Sequence, residues 1–107
     1  MCEMKINVPI AKISLHDSEI QSVLEPLNSG WLVQGPKVAE FEKKWSNFTD
    51  AKHSVAVTSC TTALHLSLAA LGFRSGDEEI VPAFTWISTA NVIEHFGGKG
   101  SFCDIDA

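Results

Sequence analysis

Four hydroxyls and a thiol occupy five consecutive positions, Thr58-Ser59-Cys60-Thr61-Thr62, immediately before the helix-forming run Ala63-Leu64-His65-Leu66. The first backbone N–H groups of a helix have no internal partner, and the helix dipole adds partial positive charge there. A phosphate at that point receives backbone and hydroxyl hydrogen bonds together. Ser and Thr are equally the preferred caps of any helix. Taken alone, the pattern is more economically read as a cap than as an anion site.

Cys60 raises a second chemistry, because a thiol at a helix start can ionise readily and attack as a nucleophile. A phosphatase-like loop needs an arginine six residues on. Position 66 is Leu66, and Arg74 is the only arginine in the chain. His53 lies on the far side of the intervening apolar run. The expectation for Cys60 is a small residue packed at the turn. His16, His53 and His95 show no metal-ligand spacing, and His65, one turn into its helix, is expected to be packed or hydrogen-bonded.

A second loop, Pro82-Ala83-Phe84-Thr85-Trp86-Ile87-Ser88-Thr89-Ala90, also leads into a helix. Tryptophan offers a large rigid face on which a planar ligand stacks. For Trp86 the pattern leaves stacking and core filling both open, whereas Phe84 is expected to fill the core between helix and sheet.

These two loops need a frame. Ile20, Val23, Leu24 and Leu27 predict an amphipathic helix over 17–27, stopped by Asn28-Ser29-Gly30 with Gly30 in the left-handed position. A short apolar segment closes at Gly35-Pro36. A second helix over about 37–48 carries Val38, Phe41, Trp45 and Phe48 on one stripe, with Lys43 and Lys44 on its exposed face. From residue 54 the rhythm alternates: strand 54–58, helix 60–71 closed by Gly72, strand 79–82, helix 86–96 closed by Gly97-Gly98, strand 101–105. That order implies right-handed crossovers and a mostly parallel sheet, an α/β fold of two leading helices followed by β-α-β-α-β. Ligands of such sheets sit at the carboxyl ends of the strands, where both loops lie.

A chain of 107 residues predicts one domain with a modest core. The net charge of −5 without any basic run argues against a nucleic-acid partner. No apolar stretch is long enough to span a bilayer. The start lacks the apolar run of a secretory signal, and Cys2, Cys60 and Cys103 form neither a metal pair nor a disulfide framework, so a cytoplasmic protein is expected. The chain stops directly after a predicted strand, as an amino-terminal fragment would.

Four motifs in order carry a resemblance: Ser29-Gly30-x4-Gly35-Pro36; Val55-Ala56-Val57-Thr58-Ser59-Cys60-Thr61-Thr62-Ala63-Leu64-His65-Leu66; Gly76-Asp77-Glu78-x-Ile80-Val81-Pro82-Ala83-Phe84-Thr85-Trp86-Ile87-Ser88-Thr89-Ala90-Asn91; and Phe102-x-Asp104-Ile105-Asp106. From about residue 7 to the last, the chain resembles the DegT/DnrJ/EryC1/StrS type of pyridoxal-phosphate-dependent sugar aminotransferase. Trp31-Leu32-Val33-Gln34-Gly35-Pro36 looks most like the perosamine-synthase branch.

The resemblance implies a fold-type I aminotransferase. Residues 1–107 would be the amino-terminal portion of its large, cofactor-binding domain, with the rest of that domain and the small domain absent. It implies pyridoxal 5′-phosphate as cofactor, with Thr61 and Thr62 binding the phosphate and Trp86 stacking on the pyridine ring. It further implies a nucleotide-linked keto-sugar as substrate, glutamate as amino donor, and a homodimer, for which Trp31 and its neighbours suit a dimer surface or a substrate-facing loop. Cys60 departs from the family's usual glycine, and Gly100 stands where proline is common, a loop change of little consequence. The Schiff-base lysine, the aspartate facing the pyridine nitrogen and a further phosphate-binding serine would all lie beyond residue 107. No catalytic residue is therefore expected here, Asp104 and Asp106 match a strand-end pattern, and no metal site is expected. The fragment alone should be inactive. Two other readings stay open: a nucleotide-sugar 3-dehydratase of the same family, in which histidine replaces the lysine, and a non-catalytic βαβ module holding a phosphorylated ligand.

Overall fold

Helix signals in the first half are realised close to where the sequence puts them. The computed structural model describes residue 9 and residues 11–106; Cys2, Lys5 and the ends of the resemblance at 7, 8, 10 and 107 lie outside them. Helix α1 spans Asp17–Ser29 and α2 spans Pro36–Thr49. Asp17 and Glu19 place negative charge in the first turn of α1, and the Glu19 carboxylate accepts from the His16 N–H at 2.6 Å. Gly30 ends the helix with φ of 73°, as its sequence position predicts. Pro36, with its fixed φ and missing N–H, opens α2 at the position where neither is a cost.

The second half forms helix α3 (Cys60–Ala70), strand β1 (Glu78–Pro82), helix α4 (Ser88–His95) and strand β2 (Lys99–Cys103). β1 and β2 pair in parallel, Glu78 opposite Lys99 through Pro82 opposite Cys103. Both helices end in the same way. Gly72 takes φ of 76° while Phe73 N–H donates to Leu68 O and Gly72 N–H to Ala69 O; Gly97 takes φ of 70° with the matching bonds to Ile93 O and Glu94 O. This double closure requires a left-handed residue just past the helix, which glycine supplies.

The core is Leu68, Val81, Val92 and Ile93, flanked by Leu64, Phe73 and Phe96. Each fully buried aliphatic side chain contributes about 1.5–3 kcal/mol of transfer free energy. Period-two geometry turns Val81 towards α4, against which it packs, and leaves Ile80 on the open face. Glu79 shares the side of Val81, and one of its carboxylate oxygens is buried without a partner among the described residues.

Four expectations change, one of them being that the last strand runs Lys99–Cys103 rather than 101–105, because the ladder to β1 ends where Pro82 meets Cys103. Residues 54–58 form no strand, because among the described residues the sheet holds β1 and β2 alone and a strand exists only through a ladder to a neighbour; Val55 is 78% exposed. Helix α4 begins at Ser88 rather than 86, since Trp86 and Ile87 form the turn whose carbonyls receive the N–H groups of Thr89, Ala90 and Asn91. Gly100 lies within β2, not in a loop, beneath Ile93 Cδ1 of α4.

The chain divides into two compact units, Met1–Ser54 and Val55–Ala107. In the first, neither helix has a buried residue, and Phe41, Trp45 and Phe48 form an exposed aromatic ladder with successive ring centres 6.0 Å apart. All candidate cofactor-binding residues lie in the second unit.

Candidate phosphate-binding turn and the neighbouring indole

Ser59 is extended and opens α3, its Oγ accepting from the Thr62 N–H at 3.1 Å and its carbonyl from the Ala63 N–H. Thr62 Oγ1 lies 2.9 Å from Ser59 Oγ and 3.3 Å from Thr58 Oγ1. Three hydroxyls thus share one network on the first turn, where the dipole is positive. Thr62 is half-buried inside it. Thr61 is exposed and stands outside it. The cap reading of Ser59 is therefore realised, and the cap also holds the Thr62 hydroxyl in place on the turn.

Cys60 is exposed at the head of α3, not packed as the sequence reading expected, because the first residue of a helix projects beyond the body that its later turns cover. Phe84 is likewise 92% exposed. It sits past the end of β1, where the sheet no longer offers a surface to fill. Trp86, three residues before the α4 amide that its carbonyl accepts, is 80% exposed and leaves its indole faces accessible. Nearby, Thr85 Oγ1 and Thr89 Oγ1 are 3.2 Å apart. The structure brings Thr58, Ser59 and Thr62 into direct contact, while no hydrogen bond or ring contact joins Trp86 to that turn. The framework link is indirect, through the packing of α3 on α4.

The donor set suits the phosphate end of a pyridoxal phosphate: clustered hydroxyls, a helix start, and no carboxylate on the first turn of α3 to repel an anion. An accessible indole suits a planar ring. His65 behaves as expected, stacked on Phe96 at 4.5 Å. Asp104 Oδ1 accepts from the Ile105 N–H, a local turn contact. A groove lined by Pro26, Trp31, Val33 and Gly35, with the Lys37–Glu25 ion pair of 2.8 Å beside it, lies in the first unit and contains none of the candidate cofactor-binding residues. The Thr58 hydroxyl, counted in the hydroxyl-rich run, joins the network, whereas sequence reasoning missed the meeting of His65 with His95, for which a separation of thirty positions carries no local signal.

Comparison with known proteins completes the picture. The family model described as the DegT/DnrJ/EryC1/StrS aminotransferase family matches residues 14–107. The chain is 56% identical to the spore coat polysaccharide biosynthesis protein SpsC of Bacillus subtilis (strain 168) over 88 residues, 82% of this chain and 23% of that protein. It is 41% identical to the UDP-4-amino-4-deoxy-L-arabinose–oxoglutarate aminotransferase of Shewanella sediminis (strain HAW-EB3), across 94% of this chain and 26% of the relative. Among solved structures, E. coli GDP-4-keto-6-deoxy-D-mannose-3-dehydratase with bound hydrated PLP superposes with a TM-score of 0.84 at 34% identity, covering 94% of this chain and 28% of that one. The chain spans about a quarter of the length of the curated relatives it matches. On the match of its residues 14–107, the chain belongs to the DegT/DnrJ/EryC1/StrS aminotransferase family.

Proposed function

We propose that residues 1–107 are the amino-terminal portion of the large domain of a pyridoxal-phosphate-dependent enzyme that transfers an amino group to a nucleotide-linked keto-sugar. The observation that carries this reading is the hydroxyl network of Thr58, Ser59 and Thr62 at the positive end of α3. The UDP-sugar aminotransferase, 41% identical, supports the substrate class and a glutamate-derived amino group, since its partner is oxoglutarate. When bound, the cofactor supplies the electron sink that amino-group transfer needs.

The chain's own residues bind and orient in this reading. Thr62, fixed by the Ser59 cap, and the exposed Thr61 donate to the phosphate, while the first-turn N–H groups and the helix dipole hold its charge. Trp86 lies against one face of the ring and excludes water from it. None of the chain's lysines is assigned the Schiff-base role, so the segment positions the cofactor and leaves proton movement to residues outside it. A homodimer, a cytoplasmic setting and glutamate itself belong to the same proposal.

The test is a chimera in which residues 14–107 replace the matching segment of the 56%-identical relative. It should retain cofactor absorbance through gel filtration, and a combined Thr61→Val, Thr62→Val substitution or Trp86→Ala should lower cofactor affinity by roughly tenfold or more, the scale of a lost interaction of about 1.4 kcal/mol. Unchanged retention in all of these variants sinks the assignment. The likeness to the 3-dehydratase favours a second reading of the same scaffold, dehydration of a nucleotide-linked keto-sugar. Both readings share the phosphate turn, and they part at the Schiff-base position, lysine in one and histidine in the other.

A further inference from the structure

His65 on α3 and His95, the last residue of α4, bring their rings to a centroid distance of 6.1 Å across the seam between the two helices. The site is braced. His65 stacks on Phe96 at 4.5 Å, and Phe96 meets Phe73 edge-on at 6.0 Å beside the core. Neither imidazole has a hydrogen-bond partner among the described residues, and α3 carries no charged residue to compete for either ring.

Imidazole nitrogens bind zinc-like ions at about 2.0–2.1 Å, and the ring centre lies roughly 1.2 Å behind the nitrogen, so two rings on one ion have centres up to about 6.4 Å apart. The observed spacing is inside that reach. A bent arrangement requires the rings to close by about 1 Å, which the exposed His95 at its helix end provides by side-chain rotation.

We propose that His65 and His95 form a two-histidine clamp for a borderline divalent transition-metal ion, Zn²⁺, Ni²⁺ or Cu²⁺, with water completing its coordination. Imidazole selects these ions, whereas Mg²⁺ and Ca²⁺ require oxygen ligands. Among the described residues no group of three or more His, Cys, Asp or Glu side chains surrounds an ion, so the clamp is an open site of modest affinity. Its effect is mechanical. The ion ties α3 to α4, the two helices that begin at the hydroxyl turn and just past Trp86.

The purified 107-residue chain is titrated with Zn²⁺ and Ni²⁺, with Mg²⁺ as control, by calorimetry and thermal unfolding. The expected result is saturable one-to-one binding and a rise in Tm that EDTA reverses and Mg²⁺ does not reproduce. Loss of an outer-shell partner alone weakens metal sites by roughly 10–100-fold, so His95→Asn, which removes an exposed ligand and keeps the His65–Phe96 stack, should weaken binding at least about tenfold. A Cys60→Ser, Cys103→Ser double variant should bind as the parent does. Equal affinity in His95→Asn, loss of binding in the cysteine variant, or no saturable binding would each overturn the clamp.

Discussion

The two units are built from similar material and reach opposite outcomes. The first has two amphipathic helices with well-formed ends, yet neither α1 nor α2 has a buried residue. The second has shorter helices, one of them nearly without amphipathic character, and still buries Leu68, Val81, Val92 and Ile93. A helix obtains its stability mainly from a packed face rather than from propensity. In the second unit two paired strands present a surface that α4 covers and α3 flanks. In the first, the stripe of Phe41, Trp45 and Phe48 has side chains of suitable type and spacing and no surface opposite it among the described residues of its own unit. Helix signals are local. Burial needs a second layer.

The largest expected effect separates the units by truncation. Ile93→Ala removes a side chain with no exposed surface and should lower stability by about 2–5 kcal/mol, read as a fall in the urea midpoint, whereas Phe48→Ala should stay within about 0.5 kcal/mol. A large loss in Phe48→Ala would show that the first unit's stripe is covered after all.

A middle effect compares the helix starts. Ser59→Ala deletes the cap of α3 and should cost about 1 kcal/mol while freeing the Thr62 N–H. Its counterpart in the first unit, Gly35, heads α2 with no side chain. Serine there should not help, although it is a preferred cap, because a Cβ at Gly35 would collide with the Trp31 indole, whose Nε1–H donates to Gln34 O. Gly35→Ser should red-shift or quench Trp31 fluorescence and lower the Tm. A stabilised Gly35→Ser variant would mean that Trp31 is free to leave.

The smallest effect is electrostatic. The Lys44 hydrogen bond and charge, with Lys37 adding to them, hold the Glu40 carboxyl below its usual range. A depressed carboxylate contributes stability above the unfolded-state value and loses it as pH falls through the lowered one. The pair lies at the surface with Glu40 half-exposed, so Glu40→Gln should leave the urea midpoint unchanged at neutral pH and at about pH 3, as expected for a surface pair. A pH-dependent difference would place that face of α2 out of solvent.

Much of the fold is legible in the chain because it rests on near-neighbour physics. Gly30, Gly72 and Gly97 stand where left-handed closures are required, Pro36 stands where a helix can begin, and Ser59 stands where a cap is needed. Apolar periodicity marks α1 and α2, composition and closing glycines mark α3 and α4, and both observed strands stand near their expected places, the second starting two residues earlier. The segment 54–58 has a strand's composition and no ladder, since pairing depends on a partner that composition does not reveal. Phe84 and Cys60 misled for a related reason: residue type predicts a preference for burial, but the end of a strand or the head of a helix removes the surface that would satisfy it.

At the candidate site, the residue types and their spacing determined that a hydroxyl-rich turn opens one helix and an indole stands just ahead of the next, because both depend on a handful of consecutive dihedral angles. The same local geometry sets Thr62 against Ser59 and Thr58, three and four positions back, and leaves Thr61 outside. Tertiary structure alone decided that His65 faces His95 across thirty positions. That contact follows from the packing of α3 on α4, and helix packing sums many weak interactions distributed along the chain, none of which is written in any short stretch of it.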